Sequence, residues 1–182
     1  MRLFEATHVF KHDWDTVSLA NWRKYPNDKT PHVRHVEVIN QELDETTGIL
    51  RMERLIMVKQ NVPTLIRKLF GGDVSYVLEY SEVDPKQRTL TMQSQNLTFG
   101  NLLSVGEHIV YKPDPENVKH TVFVQSAQVK AAGAMSRFAS RVEDFCVNRF
   151  KDNASIGRMG LEQVVSTILA ERKQAQTMLL AA

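Results

Sequence analysis

Residues 2–10 alternate in polarity and end on Val9 and Phe10, the two-residue period of a β-strand. The same period recurs over 32–43, 49–60, 74–83, 88–98, 104–112 and 120–130. Within 32–43, Val36 and Val38 fall on one face. Turn chemistry separates the stretches, as at Asp44 to Gly48, Asp84-Pro85-Lys86 and Pro113-Asp114-Pro115. Seven strands with short connections predict an antiparallel sheet. After the first strand, Asp13 is placed to cap a helix that carries Trp14, Val17 and Asn21 on one side and stops at Pro26.

From about Gly133 the period changes. Met135, Phe138, Val142 and Phe145 step by three and four, the spacing of an apolar helix stripe, which resumes with Leu161, Val164, Val165, Ile168 and Leu169. Gly157 and Gly160 between the two stretches predict a bend or a break. Residues from about Gln174 are expected to fray. No repeat, low-complexity tract or linker divides the chain, so the expectation is one α+β domain.

Composition narrows the classes. The 182 residues are enough to bury a core without disulfides or a metal. Hydrophobic residues at 42% and charged residues at 24% exclude wholesale disorder. A formal net charge of +2 argues against a dedicated nucleic-acid binder. The longest purely apolar run, Met178 to Ala182, is far short of the roughly 20 residues of a spanning helix. Glu5, Thr7 and His8 interrupt any apolar stretch of a secretory signal, and residues 1–15 read as the first strand of the fold. Cys146, the single cysteine, permits neither an internal disulfide nor a Cys-based zinc site; between Phe145 and Val147 on a helix it reads as a buried, inert thiol. The six histidines show no helical ligand spacing, and nucleotide-binding, P-loop, metalloprotease and serine-hydrolase motifs are missing. No catalytic residue, metal ligand or cofactor is therefore expected.

Three features are harder to explain as scaffolding. Arg54 falls by period two on the apolar face of 49–60, with Leu50, Met52, Ile56 and Val58. An inward arginine must find a partner, which leaves two readings open: a salt bridge, for example with Glu37 or Glu79, or a buried anion site. Residues 61–72 (NVPTLIRKLFGG) place Val62, Leu65, Ile66, Leu69 and Phe70 on one stripe of a short helix, either packed on the sheet or acting as a lid that touches membranes. Arg137, Arg141 and Arg149 run beside the apolar stripe of the long helix, and Lys24 sits just before Pro26. Together these predict a curved sheet closed by a long helix around a deep apolar cavity with a few cations, suited to a phospholipid.

At NWRKYPN (21–27), PHV (31–33), ERLIMVKQNVP (53–63), LTMQSQNLT (90–98) and RVEDFCVNRFKDNASIGRMG (141–160) the chain resembles the PRELI-like family of mitochondrial lipid-transfer proteins, and within it the slowmo-type branch. The resemblance implies a START-like fold over 1–172, with 173–182 as a C-terminal tail. It also implies residence in the mitochondrial intermembrane space and a 1:1 complex with a small helical protein bearing twin Cys-x9-Cys motifs. It places headgroup-binding roles on Lys24, His32, Arg54, Arg141 and Arg149, and the lid on about 61–72. Val58 is a departure, because the family can carry lysine there; here Lys59 is next door on the other face. The branch implicated in phosphatidic acid transfer usually has Arg-Tyr-Pro where this chain has Lys24-Tyr25-Pro26.

The expected activity is carriage of a phospholipid without chemistry, phosphatidylserine first and phosphatidic acid second, with transient docking on anionic membranes. A serine headgroup needs hydrogen-bond acceptors besides cations, for which Asn96 and Gln95 are candidates. A lipid-binding regulator without net transfer, and an enzyme acting on lipid, are the competing classes.

Overall fold

The computed structural model describes residues 1–59 and 72–181. Seven strands, β1 (Arg2–Phe10), β2 (Val33–Leu43), β3 (Leu50–Lys59), β4 (Val74–Asp84), β5 (Thr89–Asn96), β6 (Leu103–Pro113) and β7 (Thr121–Ala131), form one antiparallel sheet. Their order is β1-β7-β6-β5-β4-β3-β2, so β1 closes back on β7 and the edges are β1 and β2. The predicted turns form as their chemistry dictates. Asp84 Oδ1 accepts from the Lys86 and Gln87 amides at 2.9 and 3.0 Å, and Asp44 Oδ1 from Thr46 and Thr47 at 2.9 and 3.1 Å.

Helix α1 (Trp14–Trp22) starts where predicted, with Asp13 Oδ1 accepting from the Thr16 amide at 2.9 Å. Its buried side carries Trp14, Val17, Ala20 and Asn21. A 3-10 turn, Gly133–Phe138, precedes a single helix α2 (Ala139–Ala181) of 43 residues. Phe138 lies in that turn and is exposed, so it does not belong to the apolar stripe as expected. The break at Gly157 and Gly160 does not occur, because α2 is continuous through both and runs on to Ala181. Each glycine costs a helix about 1 kcal/mol relative to alanine. Here packing offsets that: a Cβ on Gly160 would meet the Asn27 side-chain amide at 3.4 Å, and Asn27 Nδ2 donates to the Gly160 carbonyl at 3.2 Å.

The second half of α2 builds the main core. Leu161, Val165 and Ile168 pack with Trp14, Val17 and Ala20 of α1 and with Phe10, Leu90, Tyr111 and Phe123 of the sheet. Leu161 is 1% exposed. Leu161→Ala is expected to cost about 2–5 kcal/mol and to lower Tm by roughly 5–15 °C, measured by thermal melting. A change near zero would mean that this half of α2 does not hold the fold together.

Val36 and Val38 fall on one face as expected: they pair in register with Ile56 and Arg54 of β3, and the shifts in the β2–β3 register lie outside that step, between Val33 and His35 and between Val38 and Asn40. On this edge strand that face stays open, and Val38 is 50% exposed. Helix α2 packs on β1, β7 and α1, at the far end of the strand order, and so leaves the β2 edge uncovered.

Candidate functional site

The first half of α2 does not reach the main core. It packs on the β1 and β7 end of the sheet, with Phe150 against Phe4 and Val142 against Ala131, but stands off β3 to β6 and leaves a cavity of about 340 Å³. Val142, Phe145, Cys146, Arg149, Phe150, Asn153 and Gly157 face it, in the three-and-four spacing of one helix face. The opposite wall is the inward face of β3 to β6, contributing at every second position: Arg54, Ile56 and Val58; Ser75, Val77 and Glu79; Met92, Ser94 and Asn96; Leu103, Val105, Glu107, Ile109 and Tyr111. The loop after α1 adds Lys24, Tyr25, Thr30 and His32. Lys59 and Gly72, the described residues beside 60–71, also line it. The lid residues Val62, Leu65, Ile66, Leu69 and Phe70 lie outside the described residues.

Polar side chains cross this apolar wall as a row, one per strand. Arg54 is directly paired in register with Glu79, Glu79 with Ser94, and Ser94 with Glu107. Directly paired residues share a face, so all of them project into the cavity. Arg54 Nε donates to Glu79 Oε1 at 2.8 Å, with the two residues 4% and 7% exposed, and its guanidinium lies 5.1 Å from the Trp22 ring centre. The structure thus forms the salt bridge that period two allowed, with Glu79 rather than Glu37. Glu107 accepts from Gln125 Nε2 at 2.5 Å and from Ser94 Oγ at 3.2 Å, and burial pushes its carboxyl up.

Lys24, His32 and Arg149 gather at one place. Burial lowers the pKa of His32, and the positive charges of Arg149 and Lys24 lower it further, so the imidazole is neutral at pH 7. The Lys24 ammonium lies 5.3 Å from the Tyr25 ring centre, and a Cβ on Gly157 would stand 3.4 Å from its Nζ. Among the described residues neither Lys24 nor Arg149 has an ion-pair partner, whereas Lys59 faces Asp73 at 3.8 Å. Arg141 is a correction: it is exposed and does not line the cavity. It is one residue before the buried Val142, and a step of about 100° along a helix turns it away. Asn96 lines the cavity, with its amide bonded to the backbone of Thr98, Leu103 and Val105. Gln95 is exposed and outside the lining. Cys146 does line the cavity, where burial pushes its thiol up to about 11.

Gly157→Leu tests the close approach at Lys24. Leucine improves helix propensity by about 0.8 kcal/mol, while its side chain takes the space that the ammonium occupies. The expected result is an unchanged or higher Tm with several-fold weaker anion binding in the cavity, read by titration with a fluorescent anionic lipid. A lower Tm with undiminished binding would contradict the placement.

The PRELI-like family matches residues 15–172. A relative named "Protein UPS2, mitochondrial", from Saccharomyces cerevisiae, is 43% identical over 91% of this chain and 73% of its own. A "Protein slowmo homolog" from Dictyostelium discoideum is 36% identical over 97% of this chain and 75% of its own. Among solved structures, the Zhui aromatase/cyclase from Streptomyces sp. R1128 superposes with a TM-score of 0.54 at 15% identity, covering 94% of each chain. A START superfamily protein from Mycobacterium smegmatis does so with a TM-score of 0.51 at 10% identity, over 89% of this chain and 98% of its own. At those identities the structural likeness speaks for the fold alone, which is START-like as expected.

Proposed function

The chain belongs to the PRELI-like family, and from that premise we propose that it carries phospholipid, phosphatidylserine first, between the outer and inner mitochondrial membranes. One observation carries the reading: an apolar cavity between sheet and helix that holds two cations, Lys24 and Arg149, with no ion-pair partner among the described residues. An unpaired cation away from water is costly, and a bound anion offsets that cost. Ile56, Val58, Val77, Val105, Ile109, Phe145 and Phe150 supply apolar wall for acyl chains, at roughly 0.8 kcal/mol for each CH₂ taken from water. Lys24 and Arg149 meet the phosphate, and neutral His32 donates or accepts a hydrogen bond beside it.

The mitochondrial location rests on the relative named for that organelle. Within it the intermembrane space is the proposed compartment and a small helical twin Cys-x9-Cys protein the proposed partner, both supported by the family resemblance. The protein acts as a carrier and not as an enzyme in this reading, with the raised Cys146 thiol a poor nucleophile at neutral pH.

The test is transfer of labelled phospholipids between liposomes by the chain purified with that partner. Phosphatidylserine is expected to move faster than phosphatidylcholine. A preference for phosphatidic acid would keep carriage and change the cargo. No transfer by a well-folded complex would overturn carriage in favour of a lipid-binding regulator, and altered lipid detected by mass would overturn it in favour of an enzyme.

A further inference from the structure

The charges around the cavity do not cancel, and the imbalance has a shape. Arg54 is neutralised by Glu79 and Lys59 faces Asp73. Among the described residues, what remains in the lining is two cations, Lys24 and Arg149, and one acid, Glu107. Glu107 is held only by neutral donors, Ser94 and Gln125, and no cation lies within ion-pair distance of it among the described residues. It lies deep in the fold yet keeps accessible surface, which is surface on the cavity. A carboxylate has room for about four hydrogen bonds, and two are used here. Acceptor capacity is therefore left facing whatever fills the cavity.

A binding site with two unpaired cations and one unpaired acid complements a headgroup with two negative groups and one positive group. We propose that Glu107, positioned by Ser94 and Gln125, accepts the ammonium group of an amine-bearing phospholipid and so selects such lipids over those without an amine. The inference rests on the reading of the cavity as a phospholipid carrier. It adds to that reading the residue that distinguishes one headgroup from another. Lys24 and Arg149 hold the phosphate that all candidate lipids share, whereas Glu107 meets a group that only some of them have. The row Arg54, Glu79, Ser94 and Glu107 shows why the acid stays in place: its neighbour in register on β5, Ser94, is polar, the small Ala127 opposes it on β7, and its hydrogen bonds come from both of those strands.

The experiment compares transfer of phosphatidylserine and phosphatidylethanolamine with that of phosphatidic acid and phosphatidylglycerol, by wild type and by Glu107→Gln. The substitution removes the charge and keeps the shape. The expected result is a loss of about tenfold for the two amine-bearing lipids, the size of a lost charge-assisted hydrogen bond, with the other two within about twofold of wild type. Equal loss for all four lipids, or no loss for any, would overturn the proposal while leaving carriage standing. Absence of transfer by wild type would instead overturn carriage. If Glu107→Gln does not fold, wild type alone decides: it is offered equal amounts of phosphatidylserine and N-acetylated phosphatidylserine in vesicles, and the bound lipid is weighed by mass spectrometry. Enrichment of phosphatidylserine supports the ammonium site, and equal uptake overturns it.

Discussion

Lys24→Glu is expected to abolish transfer of every anionic phospholipid while the protein melts at the same temperature as wild type. The size follows from the geometry. Lys24 is half-buried, lines the cavity and has no ion-pair partner among the described residues, so its charge is available to a ligand. A hydrogen bond to a charged group is worth about 1.5–3 kcal/mol, or a factor of roughly ten to more than a hundred. Reversal goes further than removal, since a carboxylate would stand near the phosphate it should attract. The cost to the fold is small, because among the described residues Lys24 closes no salt bridge, and its ammonium makes a cation-ring approach to Tyr25. Such approaches at partly exposed sites contribute about 0.5–1 kcal/mol. Lys24→Arg, which keeps the charge, should retain most of the activity. Liposome transfer and thermal melting together check the result: undiminished transfer by Lys24→Glu would remove Lys24 from the headgroup site, and a melting point far below wild type would make it a structural residue.

Much of the fold was legible because its signals are local. Period-two alternation, Asx turns at Asp44 and Asp84, and the Asp13 cap are set by neighbours in the chain, and all formed where expected. Features set by distant residues were not. Gly157 and Gly160 read as helix breakers, yet each glycine makes room for the loop after α1, which brings Lys24 and Asn27 against the helix. Arg141 and Arg149 look alike in the sequence, but only Arg149 faces the cavity, as rotation around α2 dictates. Glu107 was missed, although the signal was present: it occupies an inward position between Val105 and Ile109, as Arg54 does between Met52 and Ile56.

Arg54 itself separates two roles that a sequence cannot, and stability measures the difference. Arg54→Met is expected to destabilise the protein by about 3–5 kcal/mol, because it strands Glu79 as an unpaired charge in the wall. Adding Glu79→Leu should restore most of that loss, since a buried ion pair replaced by apolar side chains of similar volume is often neutral or stabilising. Urea melts of wild type, both single variants and the double variant give the coupling directly. Arg54 and Glu79 are in direct contact, so the single effects should fail to add by well over 1 kcal/mol. Transfer gives the second axis. If the pair is scaffolding beside the headgroup, the double variant regains transfer along with stability. If Arg54 instead grips the phosphate, Arg54→Met should melt near wild type, the singles should add, and the double variant should stay inactive. The bond from Arg54 Nε to Glu79, together with the guanidinium resting over Trp22, favours the first outcome.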